Sequence, residues 1–283
     1  MGAESQLAQD RQIPSHFWLQ RLSPKIWFGR SANESYWAIS LLIPAVIVLG
    51  HLIIATFTDG LPRFDNDLGL IFTAAAWIAM LNSINFFTER YVRLVTFLEQ
   101  TGTSNASGRR IDFVFKTRFM TLSGGLFALG ELSIIFLNYP PQFFVTGFKE
   151  VPYSGPPLLA MKYTSIPAYI WTNSFWALFF FILGNCVWMM LSTTYILLRF
   201  RSTSQSNGDI QVKKRGVELA TSMMATAAVS VTAPLAALTP LALSDSLDSS
   251  LLPRLAGYYD AVGIGYAVLL IAAIVSLIVA RRS

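Results

Sequence analysis

The sequence predicts an all-α fold, a polytopic membrane protein of six transmembrane helices with both termini on the cytoplasmic side. Three observations predict it. The chain holds six long apolar stretches. Basic residues alternate from one connecting segment to the next. Aromatic residues mark the ends of the stretches.

A bilayer core of about 30 Å needs roughly 20 apolar residues of helix. The stretches run over 35–57, 68–88, 117–138, 168–198, 217–243 and 259–280. They are far longer than barrel strands and lack period-two alternation. In lipid, where only helices and closed barrels satisfy the backbone, that leaves helices. A soluble helical bundle fits poorly with a hydrophobic fraction of 53%, a mean hydropathy of +0.50 and only 13% charged residues.

Direction follows from the Lys and Arg residues. Arg11, Arg21, Lys25 and Arg30 precede the first stretch. Arg90, Arg93, Arg109, Arg110, Lys116 and Arg118 follow the second. Arg199, Arg201, Lys213, Lys214 and Arg215 follow the fourth, and Arg281 and Arg282 end the chain. Only Arg63, Lys149, Lys162 and Arg254, of 21 in all, occupy the alternate segments. The positive-inside bias places the richer side in the cytoplasm or its equivalent, and agreement at both ends predicts an even number of spans. The net charge of +5 then calls for no nucleic acid. Attraction to anionic headgroups accompanies it. Tyr36 and Trp37, Tyr169 and Trp171, and Tyr258 and Tyr259 open spans, where one end of each ring is apolar and the other wet.

Residues 1–34 form a cytoplasmic tail, and residues 35–283 a single membrane domain. The tail contains no adequate apolar core for a cleavable signal, so the first span is expected to act as an uncleaved anchor. Within it, residues 14–30 interleave Phe17, Trp18, Leu22, Ile26, Trp27 and Phe28 with Arg21, Lys25 and Arg30. That pattern predicts an amphipathic interfacial helix, interrupted at Pro24. The loop over 139–167 carries Pro140, Pro141, Pro152, Pro156, Pro157 and Pro167 among Tyr and Phe residues. So much stiff aromatic chain is expected to pack as an ordered cap on the outer helix ends, or to re-enter the membrane.

Ionisable side chains inside a span are costly and mark function more often than not. Glu131 sits in the third span about 4 Å outward of the midpoint, and His51 in the first about 7 Å outward. Their depths suit a pair facing the bundle interior, where a carboxyl and an imidazole can bind and release a proton or a cation. The competing role for Glu131 is a neutral carboxyl that pins helices together through a carbonyl. Asn82, Asn85, Asn173 and Asn185 are the buried amides, and asparagine at such depth commonly joins helices. In the fifth span Ser222, Thr226 and Ser230 recur every four residues beside a stripe that includes Thr232. Pro234 and Pro240 are expected to bend its outer half. Close packing through small residues is the first reading of this helix, and a hydroxyl-lined path the second. Gly257, Ala261 and Gly265 repeat small residues in the sixth span.

Several chemistries lack their residues. The single cysteine, Cys186, rules out an internal disulfide and a cysteine metal site. Two histidines, one of them outside the spans, exclude a haem with two axial imidazoles. There is no HExxH pair, no G-x-S-x-G elbow, no P-loop and no arginine series for voltage sensing. No cofactor and no metal are expected. Glu131, His51, Asn82, Asn173, Thr226, Ser230 and Thr232 are the candidate polar site. Together they point to an integral membrane channel or transporter for a small ion or solute, with proton coupling as one form. The alternative is a non-catalytic structural or assembly subunit of a larger membrane complex. The expected partners are the lipid bilayer, the ion or solute, and further copies or other membrane subunits. Plasma, inner and organellar membranes are not distinguished.

Overall fold

The computed structural model describes residues 32–58, 68–100, 112–138, 166–203 and 210–247, with Ile271 and Ile278 beyond. The described chain is all helical. Its elements are helices α1 (Ala32–Thr58), α2 (Leu68–Gln100), α3 (Thr117–Asn138), α4 (Ile166–Thr203) and α5 (Ile210–Leu247), with one 3-10 turn, Asp112–Phe115, just ahead of α3. Three segments are long and apolar enough to cross a membrane: Ile71–Leu98, Asn173–Ile196 and Lys214–Leu238. A shorter apolar stretch, Ile39–Ile54, lies in α1. The amphipathic segment 14–30, nearly all of the aromatic loop and, apart from two positions, the sixth span lie outside the described residues.

Helix α3 has the bounds expected from hydropathy alone. Helix α2 outlasts its apolar span, which ends at Thr88: it continues through Arg93, Val95 and Phe97, as the sequence leads one to expect, and runs on to Gln100. Its buried stripe explains the extension: Trp77, Leu81, Ile84, Phe87, Tyr91, Leu94 and Leu98 recur every three or four residues and stay buried throughout. Tyr91 meets Phe115 edge-on at 4.6 Å, so the added turns pack against the 3-10 turn. Helix α5 starts at Ile210, ahead of the apolar run, and continues as helix through Pro234 and Pro240.

The most extensive pairings are α2 with α5 and α3 with α4, followed by α4 with α5; α1 packs on α2 and α4. Relative directions follow from single contacts. Phe119 stacks on Trp188 at 4.9 Å, while Gly124 lies against Phe181, so α3 and α4 run antiparallel. Trp77 meets Phe179 at 5.3 Å, Cys186 hydrogen-bonds the Ser230 side chain, and Gly216 faces Phe97. These three contacts close round the bundle to within about one residue only if α2 and α4 are parallel and α5 opposes both.

Outward faces carry the leucines. Leu42, Val46, Leu49, Ile53 and Phe57 form an exposed stripe along α1, and Leu122, Leu126 and Leu129 do so on α3. Exposed apolar stripes of this kind suit a hydrocarbon surround, where lipid tails are as apolar as the side chains.

Candidate functional site

The site is built where α3 crosses α4. Ser123 Oγ donates to the Gly184 carbonyl at 2.7 Å. A Cβ on Gly184 would stand 2.6 Å from the Ser123 carbonyl oxygen and 2.9 Å from Gly124 Cα. One on Gly124 would stand 2.7 Å from the Phe181 carbonyl oxygen. Only glycine lets the two backbones approach this closely.

Glu131 follows Gly124 on the same side of α3, about two turns or 11 Å further along. It is 3% exposed, and the exposed Leu122, Leu126 and Leu129 lie on the opposite side of the helix. The carboxyl therefore points into the bundle, and it takes part in at least one interaction there. On α4, Asn173 is 6% exposed. It lies about three turns before Gly184, a spacing that returns to within about 20° of the same direction. Because the helices are antiparallel, Glu131 and Asn173 fall at the same end of the crossing, with an axial offset of about 5 Å.

Both polar atoms of the Asn173 amide are buried without a hydrogen-bond partner. The amide is therefore not bonded to the carboxylate across from it. Such a group costs about 1–3 kcal/mol when left unpaired in a dry interior. Other polar atoms in the bundle share the condition. Thr73 Oγ1, Trp77 Nε1 and Trp171 Nε1 are also buried and unpartnered. Sequence reasoning did not single out Thr73, Trp77 or Trp171 for the site, since apolar counting scores tryptophan for its ring and overlooks its N–H.

Helix α1 joins this end through Gly50, whose backbone lies directly under the Trp171 ring. His51 is therefore placed, by its backbone, beside the start of α4. Its side chain is outside the described residues, and so is its pairing with Glu131. Asn82 is half-buried on α2. Asn185 donates Nδ2 to the Phe181 carbonyl at 2.9 Å, leaving its Oδ1 unpartnered.

The α5 hydroxyls form a separate group. Thr226 Oγ1 donates to Met223 O at 2.7 Å, Ser230 Oγ to Ala227 O at 2.7 Å, and Thr232 Oγ1 to Ala228 O at 3.1 Å. Each bonds a carbonyl of its own helix, the way hydroxyls are accommodated in dry helices. Ser230 packs on Cys186, about 20 Å along α4 from Asn173.

The Glu131–Asn173 arrangement offers carboxylate and amide oxygens as acceptors and an amide nitrogen as donor. Those groups can hold a proton, a small cation or a hydrogen-bonding solute. Among the described residues, no three His, Cys, Asp or Glu side chains gather as a metal site. No protein-family model matches this chain, and neither a curated protein nor a solved structure is similar to it.

Proposed function

We propose that the protein is a six-span integral membrane channel or transporter, both termini cytoplasmic, that moves a small ion or solute past Glu131 and Asn173. One observation carries the reading: a buried carboxylate on α3 and a buried, unpartnered amide on the side of α4 that faces α3. A polar pair whose amide the protein itself leaves unsatisfied is a poor packing device and a reasonable binding site. The three apolar helices and the one-sided basic charge agree with the membrane setting. In this reading His51 extends the site from α1, and Asn82 stands on α2 about 16 Å along the bundle from Asn173. The α5 hydroxyls of Thr226, Ser230 and Thr232 line part of the path deeper in the bundle.

Purified protein in liposomes tests this, with proton flux read by an entrapped pH dye and Na⁺ and K⁺ flux by ion-selective dyes. Glu131→Gln is expected to lower the active flux at least tenfold, and Asn173→Leu to lower it comparably. Glu131→Gln flux equal to wild type for every probe would remove the transport reading. Stoichiometric co-purification with other membrane subunits would replace it with a structural role in a larger complex.

A further inference from the structure

The 3-10 turn and the first turn of α3 share one run of backbone bonds. Lys116 N donates to the Phe113 carbonyl at 3.1 Å, and Phe119 N donates to the Lys116 carbonyl at 3.0 Å. Bonds to the third residue back bring side chains three apart into line. Phe113, Lys116 and Phe119 therefore stand in one row. Both rings of that row touch Trp188 of α4. Phe119 stacks on it at 4.9 Å, and Phe113 meets it edge-on at 6.0 Å. Phe113 also meets Tyr195 edge-on at 5.8 Å. The four rings thus form one surface, joined by direct contacts, with Lys116 in the row between two of them.

This surface faces outward. Phe119 is 41% and Tyr195 52% exposed, and Lys116 is exposed as well. Trp188 is held from the inner side, since its Nε1 donates to the Val114 carbonyl. Among the described residues no carboxylate pairs with Lys116. Along α4 the surface extends about 10 Å, from Trp188 to Tyr195. Helix α3 runs against α4, so Lys116 lies nearer the Tyr195 end than Phe119 does.

Apolar rings topped by an unpaired cation follow the order of an anionic phospholipid: acyl chain, glycerol, phosphate. Rings at the headgroup boundary take the apolar part. An ammonium donates charge-assisted hydrogen bonds to phosphate. A second copy docked by the same surface would instead bring one Lys116 toward the other. We propose that Phe113, Phe119, Trp188 and Tyr195 seat one anionic phospholipid, whose phosphate accepts a hydrogen bond from Lys116 Nζ. The seat depends on one lysine between rings and not on the summed charge of the loops. It is independent of what passes Glu131.

Brominated acyl chains quench tryptophan on contact, and subtracting the signal of Trp188→Phe isolates Trp188. The protein is reconstituted in phosphatidylcholine vesicles doped with dibrominated phosphatidylglycerol or dibrominated phosphatidylcholine. Half-maximal quenching of Trp188 is expected at an about fivefold lower mole fraction of the anionic lipid, the weight of one lysine at a bilayer surface. Lys116→Gln is expected to abolish that preference. Lys214→Gln removes an equal charge from an exposed position on α5 and is expected to leave it. Equal quenching by the two lipids would overturn the seat, and so would equal effects of the two substitutions. Native mass spectrometry supplies a reading that needs no tryptophan variant. Wild-type protein taken from mixed phosphatidylglycerol and phosphatidylcholine into mild detergent is expected to retain one phosphatidylglycerol, and Lys116→Gln about fivefold less of it. Retention of no phosphatidylglycerol, or of phosphatidylcholine equally well, would also overturn the proposal.

Discussion

The side chain that says most about this protein is Asn173, because hydropathy, burial and hydrogen bonding disagree over it. Its amide sits in an apolar helix, buried, with no partner from the chain. Trp188 is the opposite case. Its Nε1 donates to Val114 O at 3.0 Å while its ring stacks on Phe119. Trp188→Phe keeps most of the ring and removes the N–H, stranding the Val114 carbonyl. A loss of about 1–2 kcal/mol is expected, read as a lower melting temperature in detergent with flux unchanged. Cys186 is fully buried, with Ser230 as its hydrogen-bond partner. It should resist maleimide in the folded protein and react within minutes once the protein is unfolded; rapid labelling of folded protein would contradict the packing of α4 on α5. Asn173 was legible in the sequence as a polar residue at depth. Its lack of a partner was not, because that depends on which helices surround it. Trp77 was illegible for a different reason: a residue counted as apolar hides one polar atom.

At the scale of helices, the α3–α4 pair makes the sharpest claim. Gly184→Ala would press a methyl group into the Ser123 carbonyl and Gly124 Cα, both backbone atoms with little freedom to move. About 2 kcal/mol of destabilisation is expected from such overpacking. Gly125→Ala is the matched control. Nothing lies within 4 Å of its Cβ position, and helix propensity alone favours alanine by up to about 1 kcal/mol. Melting temperatures that shift in opposite directions would support the crossing as drawn. Equal shifts would contradict it. Hydropathy located α3 to the residue because both of its ends coincide with the ends of its apolar run. It underestimated α2 because Arg90 and Arg93 interrupt the apolar count, while Tyr91, Leu94 and Leu98 continue the buried stripe between them. The continuation itself is legible in the sequence, through Arg93, Val95 and Phe97, and the helix does run past them to Gln100.

For the molecule as a whole, the basic residues make a prediction independent of any side-chain contact. Exposed Arg93, Lys116, Arg118, Lys214 and Arg215 sit at the C-terminal end of α2 and the N-terminal ends of α3 and α5, which the antiparallel packing brings to one end of the bundle. With six spans, tags fused at residues 1 and 283 should both be protected from protease in right-side-out vesicles and both be cut in inverted ones. Tags on opposite sides would mean an odd number of spans. An expected orientation is readable from the sequence because it depends on charge counts in loops. The order of the helices in space is not, since α1 to α5 carry no pattern that says α2 should lie beside α5. The glycine crossing has a mechanical consequence at this scale. Two helices in backbone contact at a glycine crossing have a natural fulcrum there, at Gly124 and Gly184. Glu131 stands about 11 Å along one arm, so a rocking of about 10° about the fulcrum sweeps its carboxylate through about 2 Å. That displacement is close to the difference between a hydrogen bond made and one broken, obtained without deforming either helix.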